Sequence, residues 1–427
     1  MYIDHIDMMN LYDLYKKYKN KYIRLKRIEV ENNTDKSLYD ERINTFNILI
    51  QSNIFNDNDC NILYEFKKEG NINSKRYKYV TKAGQGTIYF IFSDSYGIAL
   101  KFIEMSSYYL EKNNIYNPIH KKWRELYILK QCTQLVQNKV TQNLPMLYDN
   151  RICKKNNNDM LLLYSELATG DLMSWLKKEH DSKDWKDMLF QIWHSLYVLQ
   201  EKINIVHNDL RLGNILYFNN KYKNNCKYTM NNDNFYLDKP KYIFMIWDFG
   251  SSELLHSSGQ FKNAVKNKID ANSDLHFIHD LYKRLRVLAL TNRYTIDELE
   301  EFLNKNMTDA EYIKKTKDEN KRKFSDGRFA EKYCISLAYY IIETDRFDQL
   351  YKERKDSVLK GHDKVYLPPI DIDNILKTLS EKYNYKYEEA LNKYGPKSRK
   401  IPNPKKLIEI FLPEYKNEIN YDLEFIC

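Results

Sequence analysis

Apolar and polar positions follow two rhythms along this chain, and the change between them divides it. Leu11, Leu14, Tyr15, Tyr18 and Tyr22 recur at helical spacing and predict one stripe of a helix, inside an N-terminal helical extension covering residues 1–71. From about residue 76 the rhythm becomes strand-like. Residues 77–80 lead into residues 83–92, a predicted hairpin with a glycine turn, and residues 97–103 predict the next strand. Residues 121–138 return to a helical spacing, residues 161–165 read as a short buried strand, and residues 170–176 open another helical stretch. Trp185, Met188, Leu189, Ile192, Trp193, Leu196 and Leu199 form a long apolar helical face. Residues 242–247 predict a buried strand, and Leu275, Ile278, Leu281 and Leu285 mark a further buried helix. Residues 218–241 are rich in Asn, Lys and Asp and predict a surface insertion within a hairpin. Residues 314–328 are strongly charged, and residues 395–406 form a basic, proline-punctuated connector before a last helix.

Composition narrows the class. The chain has 427 residues, 43% of them hydrophobic, which is enough for a sizeable core. There is no run of about 18 uninterrupted apolar residues, so no transmembrane segment is expected. The acidic first residues lack the apolar stretch of a secretory signal. Six cysteines lie far apart without a C-x-x-C pair, which predicts free thiols in a reducing compartment rather than a zinc site or disulfide framework. The net charge of +9 is spread through mixed signs and reads first as a solvated surface; the sharper reading is attraction to anionic partners such as ATP, acidic proteins or nucleic acid, and no aromatic-interleaved basic motif lifts nucleic acid above that background.

The chemistry concentrates in two short stretches. Residues 206–216 read Val-His-Asn-Asp-Leu-Arg-Leu-Gly-Asn-Ile-Leu, and residues 247–250 read Trp-Asp-Phe-Gly. Asp209, Asn214 five residues later, and Asp248 on a following strand are a minimal set for metal-assisted phosphoryl transfer. In that chemistry an Asp orients a hydroxyl nucleophile and accepts its proton, while an Asn and a second Asp hold magnesium ions that bridge ATP phosphates. The pattern resembles the protein-kinase superfamily, with its H-R-D-L-x-x-x-N loop and D-F-G strand end.

The resemblance implies an α+β, two-lobed fold: a small antiparallel-sheet lobe over residues 72–168 and a mainly helical lobe over residues 169–427, which carries the 218–241 insertion. It implies ATP and Mg²⁺ as cofactors and a protein serine or threonine hydroxyl as acceptor. It also assigns roles. Gly84 and Gly86 close over the triphosphate, although Tyr89 departs from the third glycine of G-x-G-x-x-G, and Ile91 covers adenine. Lys101 holds the α- and β-phosphates and pairs with Glu125. Backbone groups from Glu166 to Ala168 bond adenine, Asp171 reaches the ribose, and Tyr164 or Ser165 guards the deep pocket. Asp209 is the base, Arg211 neutralises the γ-phosphate, and Asn214 and Asp248 are the metal ligands. His207 packs beneath the loop, and Asp274 braces its backbone. Asn208 stands where the usual Arg clamps a phosphorylated segment, which predicts activity without phosphorylation of that segment. His276 and His279, one turn apart beside Asp280, read as core or surface rather than metal ligands.

Five of the 11 glycines (Gly84, Gly86, Gly170, Gly213 and Gly250) fall where this resemblance wants one. No A-P-E motif follows Gly250, and the segment up to Asp274 is short. That shortness, the Asp-Leu-His-Phe helix and the Asn/Lys/Tyr-rich composition resemble serine/threonine kinases of large nucleocytoplasmic DNA viruses, which implies a place in the host cytoplasm or the virion. Two other readings stay open: a small-molecule kinase similar to the choline and aminoglycoside phosphotransferases, which share H-N-D-L-x-x-x-N, and a pseudokinase scaffold.

Overall fold

The computed structural model describes residues 37–51, 69–72, 75–83, 86–92, 97–155, 158–222, 224–254, 274–275, 277–305, 309–324, 328–353, 365–382, 403–416 and 425–426. The stripe from Leu11 to Tyr22, Gly84, His276, most of the segment between Gly250 and Asp274, and the connector up to residue 402 lie outside the described residues.

The class is α+β. Helix α1 (Leu38–Gln51) precedes a sheet of β1 (Glu69–Ile72), β2 (Lys75–Ala83), β3 (Gly86–Phe92), β4 (Gly97–Met105), β5 (Leu147–Lys155) and β6 (Asn158–Glu166). The spatial order is β1-β2-β3-β4-β6-β5, with every neighbouring pair antiparallel. Because β1 begins at Glu69, the sheet starts inside the segment read from sequence as a helical extension. Helix α2 (Lys121–Gln137) follows β4 and buries Trp123, Glu125, Leu126, Ile128, Leu129, Cys132 and Val136.

Register decides which residues of this sheet can cooperate. Residues directly opposite on paired strands share a face. Lys101 lies opposite Ile88 on one side and Leu163 on the other, while Ala99 lies opposite Phe90 and Ser165. Those six residues form one face. Ile91 pairs with Ile98, and Ile98 with Glu166, so these occupy the other face.

After β6, β7 (Gly170–Asp171) leads into a short helical turn (Leu172–Trp175), and then into α3 (Ser182–Val198). The Asp181 carboxylate caps α3 by accepting from the Asp184 N–H. The helix is buried from Trp185 to Val198, save only partial exposure of Lys186, and carries a buried polar stripe of Asp187, Gln191, His194 and Ser195 among its apolar residues. It ends in a π-helical turn (Leu199–Ile203) closed by Asn204 at φ 61°, whose N–H returns to the Leu199 carbonyl. This delivers the chain into β8 (Ile205–Val206) and the His207–Asn214 loop.

Strands β9 (Ile215–Asn219) and β12 (Tyr242–Ile246) form the hairpin expected around the 218–241 segment. The segment between them is not merely a polar surface insertion. It folds into its own hairpin, β10 (Cys226–Met230) and β11 (Asp233–Leu237), turned by Asn231 and Asn232 at φ 49° and 70°. Alternate residues Cys226, Tyr228 and Met230 point inward and are buried, with Tyr228 and Phe235 against Phe190 of α3. Strand β13 (Glu253–Leu254) pairs with β8.

Helices α4 (Phe277–Thr291), α5 (Ile296–Asn304), α6 (Ala310–Lys323), α7 (Phe329–Glu343) and α8 (Phe347–Glu353) build a second apolar core around Leu290, Leu299, Tyr333, Leu337 and Ile341. Helices α9 (Ile370–Lys382) and α10 (Pro404–Phe411) return to the first core, and β14 (Phe425–Ile426) pairs with β10. No helix among the described residues is long and apolar enough to cross a membrane. Cys132 and Cys334 are free thiols, as expected, but Cys153 and Cys226 each take part in a disulfide, which corrects the expectation of reduced thiols throughout.

Candidate active site

Three elements distant in sequence meet at one ammonium group. Lys101 on β4 places its Nζ 2.6 Å from Glu125 Oε1 on α2 and 2.6 Å from Asp248 Oδ1 just beyond β12. Lys101 and Glu125 are buried, whereas the Asp248 side chain keeps 16% of its surface. Burial acts on all three groups. It works against the Lys101 ammonium, but the two carboxylates outweigh it and raise the Lys101 pKa. It pushes the Glu125 carboxyl up, only partly offset by Lys101. For Asp248 burial also pushes upward, yet the Lys101 contact and the Gly250 N–H win and hold its carboxyl below the usual range. One cation thus faces two carboxylates, leaving a formal excess of one negative charge beside the partly open Asp248.

Asp248 sits at φ 66° and ψ 68°, a left-handed conformation that a non-glycine residue adopts rarely and that the surrounding bonds must hold. Phe249 behind it is buried and meets the His207 ring edge-on, with centroids 5.4 Å apart. His207 Nε2 lies 2.9 Å from the Trp247 carbonyl, and its Nδ1 accepts from the Asp209 N–H at 3.3 Å. These partners fix the tautomer with the proton on Nε2. His207 therefore packs under the loop as expected.

The loop itself is braced from below. The buried Asp274 carboxylate accepts from the His207 N–H at 2.6 Å and the Asn208 N–H at 2.8 Å, which permits Asn208 its φ of 61°. Asn214 Nδ2 donates to the Asp209 carbonyl at 2.8 Å and to Asp209 Oδ2 at 3.2 Å. The Asn214 carbonyl accepts from the Trp247 N–H at 2.8 Å, tying this loop to the strand end that presents Asp248. Asp209, Asn214, Asp248, Lys101 and Glu125 are thereby held in one connected network. Arg211 is largely exposed, with Nε 3.6 Å from Asp209 Oδ2.

The remaining expected residues divide. Ile91 is 1% exposed and lies in the core on the face opposite Lys101, so it does not cover a ligand beside that lysine. A strand repeats every two residues, and the apolar side chain directly across from Lys101 is Ile88, half-buried, with Phe90 next along the same face. Of the two residues read as guarding the deep pocket, Ser165 shares that face and Tyr164 does not. Gly86 has a close-approach reason for being glycine: a Cβ there would lie 2.3 Å from the Phe102 carbonyl oxygen.

The Glu166 side chain points away from the Lys101 face and forms a buried pair with Arg42 of α1, at 2.6 and 2.8 Å. The same carboxylate accepts from the Met146 N–H at 2.6 Å. The Glu166 N–H is taken as well, donating to the Met146 carbonyl at 3.2 Å, so neither it nor the carboxylate is left for the ligand role that the resemblance implied for this stretch. Ala168 is half-buried in the link from β6 to β7. Asp171 caps the following helical turn by accepting from the Ser174 N–H at 2.8 Å. A carboxylate retains acceptor capacity after one such bond.

The donor set suits a hard divalent ion. Asp248 gives one oxygen to Lys101 and also accepts from the Gly250 N–H, and Asn214 donates through its single amide nitrogen to Asp209, which leaves the Asn214 side-chain oxygen and further acceptor capacity on the Asp248 carboxylate. Magnesium is held by one or two carboxylates together with substrate phosphates and water rather than by a complete protein cage. No group of three or more His, Cys, Asp or Glu that could hold a metal ion occurs among the described residues. His279 is occupied structurally, with Nδ1 2.8 Å from Ser380 Oγ. No family model matches the chain, and no curated protein matches it.

Proposed function

We propose that this chain is a two-lobed protein kinase, transferring the ATP γ-phosphate to serine or threonine hydroxyls with Mg²⁺. The observation that carries the reading is the double contact of Lys101 with Glu125 and Asp248, each at 2.6 Å. A buried pair needs only one carboxylate; the second, partly open one leaves charge for a metal to neutralise. Phosphoryl transfer depends mainly on positioning and charge stabilisation, and this network supplies both.

In this reading ATP lies between the sheet and the helical part, against the face of Ile88, Ala99 and Ser165. Lys101 takes phosphate oxygens while staying paired to Glu125. Asn214 and Asp248 would hold magnesium, which would supply positive charge against the phosphates. Asp209 orients the acceptor hydroxyl and takes its proton, Asn214 holds Asp209 in place, and Arg211 meets the γ-phosphate from the open side.

One feature favours a second reading. Asn208 between His207 and Asp209 matches the choline and aminoglycoside phosphotransferase pattern, so the acceptor could be a small molecule. Labelled ATP with Mg²⁺ separates the two. Acceptors are casein, a basic protein, the enzyme itself, and a choline and aminoglycoside panel. The protein-kinase reading predicts label on protein serine or threonine, lost in Asp209→Ala and Asp248→Ala. Label on a small molecule alone would replace it with the second reading, and ATP binding without any transfer would leave a scaffold.

A further inference from the structure

The residue before Glu125 carries no role in the reading above, yet it joins two halves of the site. The Arg124 guanidinium donates to three backbone carbonyls: Nε to Pro118 at 3.0 Å, Nη2 to Ile119 at 2.8 Å, and Nη1 to Ser252 at 2.8 Å. Pro118 and Ile119 lie in the run that enters α2. Ser252 lies two residues past Gly250. The contact therefore spans 128 positions and links the helix that presents Glu125 to the segment that follows Asp248.

Ser252 is itself fastened at every side. It is 1% exposed; its N–H donates to the Phe249 carbonyl at 3.0 Å, and its hydroxyl reaches the His207 carbonyl at 3.4 Å. The next two residues pair with Ile205 and Val206 of β8. A single guanidinium thus connects the entry of α2, the turn after Asp248, and through Ser252 the backbone under His207. A planar fork of fixed donors can satisfy three separated carbonyls at once; a lysine ammonium can follow only part of that geometry.

We infer that Arg124 is a positioning residue that holds Glu125 and Asp248 around Lys101 together, so that the site is assembled by the chain itself without a phosphate on the segment after Gly250. The inference rests on the kinase reading and deepens it. Phosphoryl transfer requires the lysine–glutamate pair and the metal-binding Asp to be in place simultaneously. Arg124 ties the backbones carrying these two acids to each other.

The test uses the full chain with Arg124→Ala, Arg124→Gln and Arg124→Lys. Steady-state transfer is measured with kcat and the KM for ATP resolved, alongside amide hydrogen exchange without nucleotide. Phosphatase-treated wild type is assayed in parallel. We expect kcat to fall roughly 10- to 100-fold in the Ala and Gln variants, the scale of a small misplacement of reacting groups, with KM little changed. Arg124→Lys should recover part of the loss. Exchange should quicken in residues 121–128 and 249–254 together, and phosphatase-treated wild type should keep its rate. Wild-type kcat in Arg124→Ala, or loss of rate on phosphatase treatment, would overturn the inference. If the wild type transfers no phosphate, the kinase reading falls; the exchange comparison still decides whether Arg124 couples the two segments, and unchanged exchange overturns that coupling.

Discussion

Two buried cations in this molecule have opposite charge balance. Arg42 and Lys101 are both almost closed to solvent, and both meet carboxylates at 2.6 Å. Arg42 faces one carboxylate, bidentately, and its other bonds go to the Gln142 and Leu144 carbonyls. Four contacts use most of a guanidinium's five donors, and the pair is neutral. Lys101 faces two carboxylates, one of them partly open to solvent. A neutral, saturated pair welds α1 to the sheet and asks for nothing more. On the proposed function, the formally unbalanced one takes a further cation, as a working site does and a strut does not. Burial and ion pairing are common to both pairs; the formal charge left over differs.

The comparison can be broken most forcefully at the site. Asp209→Ala should cost on the order of 10²–10⁴ in phosphate transfer, and Asp248→Asn should also abolish most of it, with melting temperatures near the wild type. If either variant keeps wild-type turnover, the Lys101 network is a strut after all. The reverse is expected at the other pair. Arg42→Ala leaves Glu166 buried without its cation and should lower unfolding stability by about 3–5 kcal/mol in denaturant titrations. Activity per folded molecule should persist wherever the fold does. Arg42→Met with Glu166→Leu should recover most of that stability, since a closed neutral pair can be replaced by packing.

Ligand linkage gives a smaller and more specific effect. Mg²⁺·ATP at a hundredfold over its Kd should stabilise the wild type by about 2.7 kcal/mol, read as a shift of the unfolding midpoint. Asp248→Asn should lose most of that shift, and Arg42→Met/Glu166→Leu should keep it. An equal shift in all three proteins would remove the distinction.

A third buried group sharpens the contrast from the uncharged side. His194 is fully buried between Phe190 and Tyr228, and burial holds its pKa down to about 3. The folded protein refuses a proton that the unfolded chain accepts below about pH 6.5. Stability from this group is therefore present above pH 6.5 and lost as pH falls toward 3, by up to about 1.4 kcal/mol per pH unit. His194→Leu should flatten that part of the pH–stability curve in urea titrations between pH 6 and 4. An unchanged slope would show that His194 does not control it.

Much of this was legible in the sequence because it is local. The spacing of Asp209, Asn214 and Asp248 is short-range information, and the structure brings them together with Lys101 and Glu125. What the sequence hid depends on pairing across distance. Ile91 and Ile88 are equally apolar, and only the register against β4 tells which shares the Lys101 face, since a slip of one residue exchanges faces. The buried pairing of the Glu166 side chain was hidden because its partner Arg42 lies 124 residues earlier, in a segment outside the motifs. The hairpin within residues 218–241 did carry a signal. Alternating apolar positions flank Asn231 and Asn232, a pair suited to a two-residue turn, but an Asn/Lys-rich composition obscured it.

We propose that the Lys101 network is a phosphotransfer centre, and γ-phosphate transfer from ATP with Mg²⁺ tests it, comparing wild type, Asp248→Asn and Arg42→Met/Glu166→Leu at equal folded concentration. We expect serine or threonine phosphorylation by the wild type and the Arg42/Glu166 double variant, and transfer reduced on the order of 100-fold or more in Asp248→Asn. Equal transfer by the wild type and Asp248→Asn, or none by the wild type with any acceptor, would contradict it.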